Sequence, residues 1–199
     1  MEQTESKGEQ TAGRPSMEEY ALVLDFLSEG KSADVRREPV AQAIGESHFT
    51  LLEVVPKPGT PISVGERIYI GKGEREKVDH IKGRISFFEL TGGAKSELEH
   101  AVKLIIDSRE ADFVAFFNKS GPVTTRLHQL ELLPGIGRKH LWAIITERKK
   151  SPFASFEDIK KRVPLLPHPE KLIVRRILGE MEDKDKYRIF VPRWEKKAG

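Results

Sequence analysis

Apolar residues change rhythm at Gly92-Gly93. Before that point they come in short runs broken by Gly and Pro, the pattern of β-strands. Tyr20–Leu27, Val40–Ile44, Phe49–Val55 and Arg67–Ile70 are the predicted strands, with one or two more between Val78 and Leu90 around Gly83. Gly45-Glu46-Ser47 predicts a hairpin turn, and the proline-rich stretch 56–61 predicts a loop, because proline cannot donate to a strand ladder. Residues 31–39 are expected to form a loop with Arg36 and Arg37 exposed. Residues 1–16 have almost no apolar content, so a disordered tail or expression remnant is expected there, with Met17 a second possible start.

After Gly93 the spacing becomes helical. Ala94, Leu98, Ala101, Val102, Ile105 and Ile106 predict one helix, and Glu110–Asn118, with Phe113, Val114, Phe116 and Phe117, predicts a second. Those phenylalanines are expected in the core. From Thr124 onward only helices are predicted. Thr124 or Thr125 would cap a short helix bearing Leu127, Leu130 and Leu133, and Arg138–Lys150 would form the next. Ser155 with Asp158 fits a capping box for a helix to Val163, and Glu170–Met181 is the last helix. Tyr187, Ile189, Phe190, Val191 and Trp194 are expected to dock the tail on a domain.

Short strands followed by helices predict an α+β chain: a small OB-like β-barrel domain (17–120), then an all-α domain (121–199). The Gly- and Pro-containing stretch 118–122 is the expected boundary.

Charge divides the same way. Residues 1–120 carry 16 Lys+Arg against 21 Asp+Glu, whereas residues 121–199 carry 18 against 10. The basic third suits a polyanion or, more simply, a solvated helical surface. The absence of cysteine excludes disulfides, cysteine-rich zinc sites and thiol catalysis. No apolar run approaches the roughly 20 residues a membrane span needs, so no membrane partner and a cytoplasmic location are expected.

The stretch Leu130–Ile145, LELLPGIGRKHLWAII, concentrates the chemistry. Backbone N–H groups at a helix N-terminus converge on one point, and the helix dipole favours an anion there. Gly135 and Gly137 would let a phosphate approach, Ile136 would anchor the turn, and Arg138 and Lys139 would add ionic contacts. The plainer account is a connection whose glycines allow tight packing. His140, Arg148, Lys149, Lys171 and Arg175 extend the candidate nucleic-acid-binding set, with His168 and Arg176 within side-chain reach of a backbone. On the barrel, Lys72, Arg75, Lys77, His80, Lys82 and Arg84 form a basic run near Tyr69, Phe87 and Phe88. Either the aromatics stack on bases or they fill the barrel. Alternation along a strand would leave one of Phe87 and Phe88 exposed.

LxxLPGIG resembles the helix-hairpin-helix family of DNA- and RNA-binding modules, and SPFASFEDIKKRV resembles the linker of tandem versions. That resemblance implies that Gly135, Ile136 and Gly137 form a hairpin giving N–H groups to phosphates, assisted by Arg138 and Lys139. The second hairpin departs from it, reading Leu165-Leu166-Pro167-His168-Pro169. Two prolines remove two donors, so a structural second half is expected. Over residues 17–190, the stretches GERIYIGKG, AKSELEHAVKLII, FVAFFNKSGPVTTRLHQLELLPGIG and SPFASFEDIKKRV resemble archaeal domain-of-unknown-function family 655. The resemblance implies an OB-like barrel joined to helix-hairpin-helix repeats.

Other chemistries find no support. GERIYIGKG has five residues between Gly65 and Gly71 and Gly73 where a P-loop needs Ser or Thr. His48, His80, His100, His128, His140 and His168 show no metal-binding spacing. Asp158, Asp183 and Asp185 do not suit the catalytic aspartate of hairpin-bearing glycosylases. The expectation is a non-catalytic nucleic-acid-binding protein with no metal and no cofactor, gripping an RNA or DNA phosphate backbone, with RNA favoured for the barrel surface. The second reading is a protein-interaction adaptor, and the third an accessory nuclease or glycosylase.

Overall fold

A computed structural model describes residues 17–31, 37–166, 168–184 and 186–193. The expectations for residues 1–16, Arg36, Pro167, Asp185 and Trp194 lie outside the described residues. The chain is mixed α+β. Strands β1 (Tyr20–Leu27), β2 (Val40–Gly45), β3 (Leu51–Pro56), β4 (Arg67–Tyr69) and β5 (Val78–Arg84) form one sheet in the order β4-β1-β2-β3-β5. All its neighbouring strands are antiparallel. Register shifts at Val23/Asp25 in β1 and, opposite Glu53/Val54 and Val55/Pro56, at Lys82 and Asp79 in β5 help bend it. The result is a curled half-barrel, open between β4 and β5 among the described residues. Where a second strand was allowed after Gly83, the chain makes a single 3-10 turn at Phe87–Glu89.

The central strands β2 and β3 are buried on both faces, and their apolar runs are broken only by Gln42 and Glu53, which bond each other (3.0 Å). Ala21, Val23, Ala41, Ala43, Leu52 and Val54 point into the curl with Ile62, Ile68, Ile70 and Val78. Leu22, Leu24, Ile44 and Leu51 point the other way, into a larger core that the helices complete. Helix α1 (Gly92–Ser108) covers that face. Its N-cap Thr91 is tied to the sheet: the Thr91 N–H donates to Gln42 Oε1 (2.8 Å), and its hydroxyl donates to Asp25.

Helix α2 (Glu110–Lys119) follows, with Phe113, Val114 and Phe117 buried and Phe116 packed against them. The short helix expected after Thr124 is absent. Instead β6 (Pro122–Thr124) and β7 (Leu127–His128) pair as a ribbon, and a 3-10 turn occupies Gln129–Leu132. The β-branched run Val123-Thr124-Thr125 favours extended backbone. Bonds in both directions between Gly121 and Gln129 close the ribbon. Helices α3 (Arg138–Lys150), α4 (Phe156–Arg162) and α5 (Pro169–Met181) complete the chain. One continuous core runs from Leu22 on the sheet to Ile177 on α5.

The SPFASFEDIKKRV segment is fixed by polar clamps. Asn118 exchanges two bonds with the Phe153 backbone (2.9 and 2.8 Å), and the Phe156 N–H donates to Glu110 (2.6 Å). Ser155 caps α4 by accepting from the Asp158 N–H, but Asp158 accepts from Ala154 rather than Ser155, so the expected capping box is offset by one residue. Arg162 donates to the carbonyls of Glu147, Ser151 and Pro152. The tail docks as expected: Val191 is buried and Phe190 meets the Phe113 and Phe116 rings edge-on. Its backbone is held by Glu180, which accepts from the N–H groups of Ile189, Phe190 and Val191 (2.8 to 2.9 Å) and from Arg176 Nε (2.7 Å). Because Glu180 is fully buried, Glu180→Ala should cost about 3 kcal/mol or more by leaving Arg176 and three amides uncompensated. Urea unfolding measures the loss, and limited proteolysis should show the tail cut first.

Candidate nucleic-acid interface

The turn joining Leu133 to α3 is set by two buried residues and one backbone bond. Leu133 and Ile136 are buried, and the Ile136 N–H donates to the Leu133 carbonyl (3.1 Å). Pro134, Gly135 and Gly137 are exposed. Gly135 has φ +91°, a left-handed conformation that side chains disfavour. Gly137 is different: its backbone is extended (φ −97°, ψ −178°), and a methyl group there would meet no heavy atom within 4 Å. Neither conformation nor packing calls for glycine at 137. Tight packing therefore does not account for the pair, and the missing side chain leaves open space in front of α3.

The N-terminus of α3 faces that space. Its first backbone bond is from Leu141 to Gly137 (3.0 Å), so the N–H groups of Arg138, Lys139 and His140 have no acceptor among the described residues. Of the five described helices, α3 alone has neither a side-chain cap nor an acidic residue in its first turn. The other four meet the positive end of the dipole with Thr91, Ser155 or carboxylates. At α3 it meets Arg138 and Lys139 instead, both exposed and neither in an ion pair with another described residue.

The corresponding turn before α5 repeats the frame without the opening. Val163 and Leu166 are buried and linked by the same backbone bond (2.8 Å), but Leu165 stands where Gly135 stands. Pro169 is the first residue of α5 and has no N–H to offer. Glu170 fills the first turn and pairs with His168 (3.4 Å).

The other expected site residues divide into available and engaged groups. Lys149 is exposed on α3, and Lys171 and Arg175 are exposed on α5; His140 is half-buried. Arg148 turns inward, donating to the Phe117 carbonyl (2.8 Å) and to the Ser120 hydroxyl and carbonyl, which fastens α3 to the end of α2. Burial lowers its pKa. Arg176 is buried against Glu180 and also donates to the Leu132 and Tyr187 carbonyls. Neither guanidinium is offered to a ligand, because helical spacing places both on the core side.

On the sheet, Lys72 is exposed and Arg75 donates to the Gly71 carbonyl (2.9 Å). Lys77 pairs with Glu66 (2.5 Å), Lys82 with Glu38 (3.4 Å) and His80 with Asp79 (2.7 Å), so much of the basic run is neutralised locally. Tyr69 packs on Tyr20. Phe88 is exposed and Phe87 is partly buried, through the 3-10 turn rather than strand alternation. Arg84 and both phenylalanines line a cleft of about 200 Å³ with His48, Met181 and Arg188. No group of three or more metal-ligating side chains occurs among the described residues, and none of their helices is long and apolar enough to cross a membrane. The expected set omitted Trp142, which is 62% exposed on α3. A helical projection of the sequence from Arg138 would have found it.

Two outcomes test the turn's construction. Gly135→Ala should cost about 1–2 kcal/mol from the left-handed backbone, whereas Gly137→Ala should cost less than about 1 kcal/mol; chemical unfolding separates them. His128 supplies the second. Its Nδ1 accepts from the Leu130 N–H (3.1 Å), which requires a neutral ring. Burial, then the Arg148 charge, lower its pKa against an opposite pull from Glu131. A folded pKa below the unfolded value gives a contribution complete above about pH 6.5 and lost as pH falls through the folded value. The stability advantage of the native protein over His128→Gln should therefore shrink between pH 7.5 and pH 5.

Residues 17–192 match the family model described as protein of unknown function (DUF655). The chain is 47% identical over 181 residues to the uncharacterised protein MJ0038 of Methanocaldococcus jannaschii, covering 90% of this chain and 82% of that one. It is also similar to the crystal structure of Af1531 from Archaeoglobus fulgidus, at 51% identity and a TM-score of 0.81, covering 88% of this chain and all of that one. The match across nearly the whole described chain, with close archaeal relatives in sequence and structure, places this protein in the DUF655 family.

Proposed function

We propose that this protein binds nucleic acid without catalysis, holding a phosphate of the backbone at the N-terminus of α3, with RNA the favoured ligand. One observation carries the reading: three unpartnered N–H groups at 138–140 open to solvent behind Gly137, a glycine that neither conformation nor packing requires. A phosphate supplies the negative charge and acceptor for which the other described helices use a side-chain cap or a carboxylate in the first turn. Arg138 and Lys139 add charge on either side of it, at a place where cations otherwise weaken a helix. Lys149, Lys171 and Arg175 offer further exposed contacts, and Lys72 and Arg84 provide a second surface on the sheet.

On the same reading, residues 121–199 form a tandem helix-hairpin-helix domain with one working turn, and the half-barrel is an OB-like domain. The turn before α5 keeps the packing of its counterpart and has closed its phosphate site with Pro169 and Glu170. The cytoplasm is the proposed location.

Backbone contacts of this kind bind with little sequence preference and strong salt dependence. Affinity for a mixed-sequence RNA should fall steeply between 50 and 300 mM salt. Gly137→Val should weaken binding by about tenfold or more at unchanged fold, the loss expected for about one charge-assisted contact. Arg138→Ala should reduce the slope of log affinity against log salt by about one. Fluorescence anisotropy with circular dichroism as the folding control measures all three. Salt-independent binding, or no binding to RNA or DNA, refutes the proposal.

A further inference from the structure

The phosphate site leaves one face of α3 unexplained. Successive residues on a helix are rotated by about 100°. Arg138, Trp142 and Lys149 therefore fall within about 40° of one another, with Lys139 and Thr146 on the same flank. Leu141, Ile144 and Arg148 lie on the opposite side, in the core or against α2. Trp142 is 62% exposed, an unusual place for a side chain with so much apolar surface to bury. Its neighbours on this face are cations: Arg138, Lys139 and Lys149 are exposed and unpaired with other described residues. The face thus alternates a cation, an aromatic ring and a cation, beginning at the free N–H groups of residues 138–140.

Charge and spacing select the occupant. A protein groove that reads a helix needs apolar anchors at i, i+3 or i+4, and i+7. Here Trp142 is the sole large exposed apolar side chain on α3. Flanking positive charges favour a polyanion, and an aromatic face beside a basic track is the arrangement that holds bases of a single strand. A base inside a duplex has both faces covered by its neighbours and cannot stack on a side chain. Trp142 lies one turn into α3, about 6 Å along the axis from Arg138. It is therefore close to whatever is bound at the N-terminus.

We infer that Trp142 stacks on an unpaired base of the strand whose phosphate is held at the N-terminus of α3, so that the ligand is single-stranded at this point. The inference rests on the phosphate-binding reading and adds to it a ring, a strandedness and a selective contact. It needs no sequence preference, since every base has a π-face.

The chain has two tryptophans, so Trp194→Phe leaves Trp142 as the only indole reporter. That protein is titrated at low salt with a 12-nucleotide oligo-U, a 12-nucleotide oligo-dT and a blunt 12-base-pair RNA duplex, following indole fluorescence and, with labelled strands, anisotropy. The single strands should quench Trp142 and bind at least tenfold tighter than the duplex. Trp142→Ala should weaken single-strand binding about 5- to 100-fold, the range for loss of one stacked base. Trp142→Phe should restore most of that loss. Salt-dependent binding that is sensitive to Gly137→Val but indifferent to Trp142→Ala, with no quenching, overturns the stacking inference and leaves the phosphate site standing. Equal losses for strand and duplex overturn it as well. So does self-association in sedimentation that Trp142→Ala abolishes without changing oligonucleotide affinity, which would assign the face to a protein contact. No binding to any of the three ligands removes both readings together.

Discussion

The buried Arg176–Glu180 pair on α5 holds together parts of the chain that no sheet or helix connects. Two charges at 5% and 0% exposure are tolerable only when every oxygen and nitrogen is occupied. Glu180 occupies its oxygens with the tail amides of residues 189–191, and Arg176 reaches the Leu132 and Tyr187 carbonyls. The tail, α5 and the segment entering the α3 turn are thereby fixed to one another. Arg148 performs a parallel task between α3 and α2. Between them, the two inward arginines fix the segment entering the turn and the far end of the helix that leaves it, so the turn can remain exposed on an anchored helix.

That rigidity matters because the start of α3 is poorly satisfied by the protein itself. Its first N–H groups lack a cap, its first turn lacks a carboxylate, and two cations stand there instead. The equivalent turn before α5 has the same buried frame and the same backbone bond, yet finds its own solution in proline and glutamate. The contrast between two turns built on one plan is more informative than either alone. It singles out α3 as the one described helix with neither a side-chain cap nor a carboxylate in its first turn.

The distribution of charge gains meaning from the same comparison. Cations on the sheet are largely matched by nearby carboxylates, as at Lys77 and Lys82. Arg138, Lys139 and Lys149 on α3 are exposed without such a match among the described residues, and they share a flank with an exposed indole. Net charge along the sequence shows only that residues 121–199 carry a basic excess. Only pairing shows which cations have charge to spare.

Strand and helix positions were legible because burial imposes a period that the residues must obey. Tyr20–Leu27 and Arg138–Lys150 stand where their apolar spacing put them. The ribbon at 122–128 was misread because leucines spaced for a helix were instead buried from a 3-10 turn, and β-branched neighbours preferred extended backbone. The sequence by itself determined the elements, the glycine turn and the basic excess, all of which follow from local composition. Tertiary structure alone decided that the sheet stays a half-barrel, that Arg148 is held by Phe117 and Ser120 and Arg176 by Glu180 and Leu132, and that nothing packs over Gly137. Those outcomes depend on which partner each side chain meets across the fold, and spacing along the chain carries no record of that.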